Sequence, residues 1–72
     1  MKIQSELFEG VFYEAEDCIH IPNMLQNYKY LNNGGRKDLV DIICGSNNRM
    51  IFVYKKTPLM NELYDKWCNH QL

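Results

Sequence analysis

Residues 39–54 read LVDIICGSNNRMIFVY, and this stretch decides the fold. Residues 39–44 and 50–54 are dense in β-branched and aromatic residues, and the GSNNR sequence between them is rich in turn formers. The stretch therefore predicts a β-hairpin. Alternate residues of its second strand point to opposite faces, which carry Met50, Phe52 and Tyr54 on one side and Ile51 and Val53 on the other. Because both faces are apolar, this strand either is covered on both sides within the chain or presents one face to another molecule.

A helical pattern precedes the hairpin. Asn23 is a suitable N-cap, and the NNGG sequence of residues 32–35 tolerates the left-handed backbone that ends a helix. Between them, apolar residues recur at helical spacing, and we expect this stripe to pack against the sheet. The stripe consists of Met24, Leu25, Tyr28 and Leu31.

A second helical pattern follows the hairpin. Thr57 is a suitable N-cap, and Pro58 suits the first helical position because an N–H there would lack a helical partner. The apolar stripe of this helix consists of Met60, Leu63, Tyr64 and Trp67. Such a stripe can cover one face of a sheet. We expect the core to contain Phe52, Val53, Leu63 and Trp67.

Two shorter strands are predicted before the first helix. Residues 8–14 are rich in aromatic and β-branched residues, with Gly10 as the only interruption. Residues 18–21 alternate in period two until Pro22 ends the strand, with Ile19 and Ile21 on one face and Cys18 and His20 on the other. The order ββαββα predicts one α+β domain over residues 1–72, a small and mainly antiparallel sheet with two helices packed on one face.

Charge is distributed unevenly along the chain, although the net charge is −1. Residues 1–17 carry one base against five acids, and the rest of the chain carries seven bases against four acids. Basic residues interleaved with tyrosines can bind nucleic acid by neutralising phosphates and stacking bases. The basic candidates are Lys29, Arg36, Lys37, Arg49, Lys55 and Lys56. Because the isoelectric point is near 6.0, nucleic-acid binding is the alternative function rather than the first one.

Five cysteine and histidine residues could in principle supply ligands to zinc, namely Cys18, His20, Cys44, Cys68 and His70. Their spacing is unsuitable, because the first two flank one residue of a strand and the last two point in different directions on a helix. We therefore expect no metal. The odd number of widely separated cysteines favours free thiols in a reducing compartment.

Catalytic patterns are weak. Cys18 and His20 have no oxyanion-hole loop beside them, and Glu14 and Glu16 are typical of an exposed acidic turn. Gly34 and Gly35 follow a helix rather than opening one, so they form no phosphate loop. A chain of 72 residues also has little room for a buried pocket. We expect no enzyme, no cofactor and no small-molecule substrate.

The first residues contain no apolar run, and no window approaches the ~20 apolar residues that a membrane span needs. We therefore expect no signal peptide, no membrane segment and a cytoplasmic location. Residues 21–72 resemble a family of short uncharacterised proteins carried by conjugative elements and phages of Gram-positive bacteria. The resemblance rests on the blocks NYKYLNNG, LVDI, MIFVY and ELYDKWCNHQL. It implies an accessory protein of a mobile genetic element and no active site.

A stable, mildly acidic domain with an aromatic hairpin is suited to protein–protein contacts. We expect a homodimer, through the sheet face or an edge strand, or a heterologous protein partner. The candidate interface residues are Met50, Phe52, Tyr54, Glu14, Glu16 and Asp17. Because the three acids offer phosphate-like charge, an inhibitor of a host defence system, such as an anti-CRISPR, is a concrete form of this function.

Overall fold

The computed structural model of the protein describes residues 2–72, and Met1 lies outside the described residues. The strands are β1 (Lys2–Gln4), β2 (Phe12–Glu14), β3 (Cys18–Ile21), β4 (Leu39–Cys44) and β5 (Met50–Lys55). Helix α1 (Met24–Asn32) lies between β3 and β4, and helix α2 (Pro58–Cys68) follows β5. The predicted α+β class is confirmed. The order differs from the prediction by one additional strand, β1.

The main sheet has the antiparallel order β3-β5-β4, so the strand that is apolar on both faces lies in the centre. The predicted hairpin is confirmed, and its turn places Asn47 and Asn48 at φ values of 60° and 58°, which Asn tolerates better than most residues. Of the two alternatives for β5, coverage within the chain is the one found.

Both helices pack on one face of the main sheet, as predicted. The buried residues of this face are Ile21, Tyr30, Phe52, Tyr54, Met60 and Leu63. Tyr30 and Tyr54 meet edge to face with ring centroids 5.7 Å apart, a favourable aromatic geometry. Phe52, Val53 and Leu63 are buried as predicted, whereas Trp67 is half-buried and packs against the margin of the cluster.

The predicted helix ends are confirmed. Asn23 Oδ1 accepts from the Gln26 N–H at 3.1 Å, and Thr57 Oγ1 accepts from the Met60 N–H at 3.2 Å. Gly34 follows the end of α1 at φ 95°, a conformation that a side chain would strain.

The prediction that the apolar stripe of α1 packs against the sheet is wrong. Its members Met24, Leu25 and Tyr28 are exposed, and only Leu31 packs partly against the core. The buried residues of α1 are instead Gln26, Asn27 and Tyr30. Tyr64 of α2, expected to cover the sheet, is also about half exposed.

The opposite face of the main sheet is covered by an N-terminal hairpin in which β1 and β2 pair antiparallel. Its cluster contains Tyr13, Cys18 and Val53, with Val40 and Ile43 at its edge. The strand predicted over residues 8–14 is right only for its second half. Residues 5–11 form a loop, in which Gly10 adopts φ 77°.

Within residues 2–72, neither helix has the length and apolar character needed to cross a lipid bilayer.

Candidate functional site

The outer side of α1 carries three large apolar side chains, which we call the α1 patch: Met24, Leu25 and Tyr28. Their exposed fractions are 52%, 57% and 65%. A surface helix normally turns such residues inward and its polar residues outward. Helix α1 does the reverse, since its buried residues include Gln26 and Asn27.

The orientation of α1 follows from polar groups that the core must satisfy. The Tyr54 hydroxyl donates to Asn27 Oδ1 at 2.9 Å, and Asn27 Nδ2 donates to the main-chain oxygen of Ile21 at 3.0 Å. Gln26 Nε2 donates to the Tyr30 hydroxyl at 2.7 Å. An unpaired buried hydroxyl or carbonyl costs about 1–3 kcal/mol, so turning these amides outward would be unfavourable. Within residues 2–72, every buried side-chain polar atom has a partner.

Beside the α1 patch lies a groove of about 530 Å³, the helix groove, between α1 and the end of α2. Its lining residues are Leu25, Lys29, Trp67, Cys68, His70 and Leu72. Leu25 belongs to both the patch and the groove, so the two form one continuous surface. Among the described residues that line the groove there is no Asp or Glu.

The segment after α2 closes one side of the groove. His70 adopts φ 57°, and the Gln71 N–H donates to the Lys66 carbonyl at 2.8 Å, so the chain turns back on the helix. Leu72 then packs against the core. The Lys29 ammonium donates to the Leu72 main-chain oxygen at 2.6 Å, which fixes a positive charge at the groove.

On the opposite face of the sheet, Asp41 is completely buried. The register of β4 against β5 shifts between Leu39 and Asp41, and such a bulge re-aims side chains. Here it directs Asp41 toward the N-terminal hairpin. We call residues 5–11, which bind this carboxylate, the Asp41-bound loop.

The Asp41 carboxylate accepts five hydrogen bonds. The Ser5 hydroxyl donates to Oδ1 at 3.1 Å, and the Tyr13 hydroxyl donates to Oδ2 at 2.7 Å. The other three donors are the N–H groups of Glu6, Leu7 and Ile42 at 2.9, 3.2 and 2.9 Å from Oδ1. Hydrogen bonds to an ionised group are about twice as strong as neutral ones, so this carboxylate fastens the loop firmly.

Burial acts to raise the pKa of Asp41, but the hydrogen bonds from Tyr13, Ser5 and the main chain outweigh it and hold the pKa below its ordinary value. Burial, together with the hydrogen bond to Asp41 and its negative charge, raises the pKa of Tyr13 to about 12. Asp41 is therefore ionised and Tyr13 neutral over the physiological range. Because the carboxylate is sealed from solvent and fully bonded, its role is structural.

The predicted interface residues are separated by the fold. Phe52 and Tyr54 are buried under the helices, so their assignment to an interface is wrong. Met50 is half exposed beside the hairpin turn. The turn at residues 14–17 bears the three acids and lies at the opposite end of β5, where Lys56 Nζ donates to the Glu16 carbonyl at 3.0 Å.

The six basic candidates occupy several places. Lys55 and Lys56 lie beside the acidic turn, at the sheet end where residues 35–38 carry Arg36 and Lys37. Arg49 is in the hairpin turn, roughly 20 Å from Lys55 along β5 at the usual rise per strand residue. Lys29 belongs to the helix groove. These bases do not form one continuous stripe, and acids lie beside the pair at residues 55–56.

A second cavity, of about 340 Å³, lies between the N-terminal hairpin and the end of the main sheet. Its charged lining residues have both signs, since Lys2 and Lys55 face Glu14 and Asp17. It therefore offers no net charge to a ligand. Its lining therefore favours no particular class of ligand.

Cysteines and histidines are dispersed. All three cysteines are free thiols, with Cys18 buried and Cys44 and Cys68 exposed. Burial raises the pKa of the Cys18 thiol, which makes it a poor nucleophile at neutral pH. Among residues 2–72, no three His, Cys, Asp or Glu side chains come together in a group that could hold a metal ion.

Sequence reasoning missed two features of these surfaces. An aspartate inside the apolar stretch LVDIIC was the available signal for the Asp41-bound loop, because a buried carboxylate requires partners. The inverted α1 had no such signal, since its polar and apolar residues are interleaved.

Comparisons with family models, with curated proteins and with solved structures found no match. Function is therefore inferred from the geometry and chemistry of these surfaces.

Proposed function

We propose that this protein is a non-catalytic binding module that recognises an apolar protein segment flanked by carboxylates, on the α1 patch and the helix groove. The observation that carries the proposal is the inversion of α1, which buries two amides and exposes Met24, Leu25 and Tyr28. Contiguous apolar surface of this kind marks binding sites on small proteins.

The charge of the groove indicates which charged residues a partner segment should carry. Lys29 brings a positively charged side chain to the groove, and none of its lining residues is Asp or Glu. Lys29 is positioned by its bond to Leu72, so a partner carboxylate would meet an ordered ammonium. An apolar segment that bears Glu or Asp is therefore favoured over one that bears Lys or Arg.

The size of the surface favours a single segment as the occupant. If a large side chain offers about 200 Å², three of them exposed by half to two-thirds offer roughly 350 Å². A stable dimer buries about 800 Å² on each partner. One helix or extended peptide seated in the groove fits the available area better than a broad, flat interface does.

The test uses a synthetic peptide of ~15 residues with Leu and Phe along one helical face and Glu at the flanking positions. A control peptide carries Lys at every Glu position. Amide NMR spectra of the protein should show saturable shifts at the α1 patch and the groove with the Glu peptide. We expect the Lys peptide to bind at least ~10-fold more weakly, a difference of ~1.4 kcal/mol.

Two matched variants locate the site. Leu25→Glu should abolish binding, whereas Phe12→Glu changes an equally exposed residue of the N-terminal hairpin, on the opposite face of the main sheet, and should leave binding intact. Loss of binding in the Phe12 variant, or no saturable shift with either peptide, would show the proposal to be wrong.

The host context stays a prediction. A cytoplasmic accessory protein of a mobile element, including an inhibitor of a host defence system, is compatible with a peptide-binding module. Nucleic-acid binding remains the alternative. It predicts salt-sensitive binding of single strands that is lost when Lys55 and Lys56 are both replaced by Glu.

A further inference from the structure

The Asp41-bound loop is exposed to solvent, but hydrogen bonds fix its conformation. Besides its bonds to Asp41, the Ser5 hydroxyl accepts from the N–H groups of Leu7 and Phe8 at 3.2 and 3.0 Å. The Ser5 N–H donates to the Val11 carbonyl at 2.8 Å, which closes the loop. The conformation is therefore fixed before any partner arrives, and a preorganised segment loses less entropy on binding.

This loop displays apolar side chains between carboxylates. Leu7 and Phe8 at its tip are 47% and 37% exposed, and the residues on either side of them are Glu6 and Glu9, both exposed. An apolar pair flanked by two acids is the chemistry that the helix groove favours. The groove has complementary character, with Leu25 and Trp67 as apolar walls and Lys29 as a cation.

The loop cannot reach the groove of its own chain. It is bound to Asp41, on the face of the main sheet where Tyr13 of the hairpin packs in one cluster with Val53. The groove is built from the helices that cover the opposite face, where Trp67 and Leu72 pack. Because the sheet lies between the two surfaces, any contact between them joins two copies of the chain.

We propose that the Asp41-bound loop of one copy enters the helix groove of another, so that the protein associates head to tail. This inference rests on the proposed function and names a second copy as an occupant of the same groove. Leu7 and Phe8 lie against Leu25 and Trp67, and the loop carboxylates lie beside Lys29. Since the loop and the groove lie on opposite faces of the sheet, a pair joined by one contact retains one free loop and one free groove, and association continues beyond the dimer.

The experiment is sedimentation velocity from ~10 µM to ~1 mM, a range suited to a contact smaller than a standard interface. The wild-type protein should show an average mass that rises past that of the dimer. Leu25→Glu places a carboxylate in the groove, and Phe8→Gln removes the aromatic side chain from the loop tip. Each variant alone should therefore be a monomer. Phe12→Gln, which changes an exposed residue of the same hairpin outside the loop, should associate like the wild type.

Mixing the two monomeric variants gives the decisive result. The Leu25 variant keeps its loop and the Phe8 variant keeps its groove, so an equimolar mixture should form a dimer of about twice the monomer mass and nothing larger. A mixture that stays monomeric while the wild type associates would show a symmetric interface and overturn the inference. Amide NMR spectra of each variant establish that it is folded.

Failure of this inference is distinguishable from failure of the proposed function. A wild-type protein that stays monomeric at ~1 mM overturns head-to-tail association. If the Glu peptide still binds at the groove under the same conditions, the groove has a different occupant. If the peptide also fails to bind, both proposals are wrong.

Discussion

Apolar side-chain packing holds the helices on one face of the main sheet, whereas hydrogen bonds to a buried carboxylate hold the N-terminal hairpin on the other face. Six buried residues from two helices and two strands form the first cluster, and three buried residues form the second. Asp41 ties the hairpin to this face, since four of its five hydrogen bonds come from hairpin residues and the fifth from Ile42 of its own strand. The helices are therefore held by a broad apolar contact, and the hairpin is held by a local electrostatic one.

This difference predicts two levels of stability within one small domain. Loss of packing on the helix face removes the core of the whole fold. Loss of the Asp41 charge releases a hairpin while the main sheet and helices keep their contacts. Experiments can therefore weaken each face separately.

The largest effect is expected on the helix face. Met60 of α2 is completely buried, so Met60→Ala leaves a cavity and should lower the free energy of unfolding by about 3–4 kcal/mol. Urea denaturation followed by circular dichroism measures this change in the free energy of unfolding. Met50→Ala is the control, since Met50 is half exposed, and should cost under ~1 kcal/mol. Equal costs for the two variants would contradict the assignment of the core.

The next effect is on the hairpin face. Asp41→Asn keeps the shape of the side chain but removes its charge, and should cost about 2–3 kcal/mol because hydrogen bonds to an ionised group are lost. Amide exchange should show β1 and β2 losing protection while β4 and β5 retain most of theirs. Asp65→Asn, at an exposed position of α2, should change stability by under ~0.5 kcal/mol.

The same carboxylate sets a dependence on acid pH. The pKa of Asp41 is held below its ordinary value in the folded state, so its stabilisation is present above about pH 4. That stabilisation is lost as the pH falls through the lower pKa of the folded state, because the unfolded chain then binds the proton more readily. The Asp41→Asn variant should lack this part of the acid dependence. An unchanged acid profile would show that the carboxylate is not ionised in the fold.

Local signals in the sequence account for what could be predicted. The β4–β5 hairpin, the N-cap residues Asn23 and Thr57 and the end of α1 at Gly34 each depend on neighbours within a few residues. Their physical causes are visible in a short window of sequence. These elements therefore appear in the structure where they were expected.

Features that depend on distant partners were not predictable in the same way. Strand β1 is the short and exposed sequence KIQ, and it exists because it pairs with β2 and because the loop between them binds a residue more than 30 positions away. The orientation of α1 depends on the Tyr54 hydroxyl, 27 positions from Asn27. Helical periodicity identifies the helix but assumes that its apolar side faces inward, and that assumption fails where the core contains polar groups.

The smallest expected change tests that inversion at two adjacent residues of α1. Asn27→Ala should cost about 2 kcal/mol, because it leaves the Tyr54 hydroxyl and the Ile21 carbonyl without their partner. Tyr28→Ala removes a much larger apolar side chain but should change stability by under ~0.5 kcal/mol, since Tyr28 is exposed. Urea denaturation of both variants under the same conditions provides the comparison. The reverse order, with the tyrosine variant the less stable, would mean that α1 packs its apolar side inward, and the surface assigned to binding would then belong to the core.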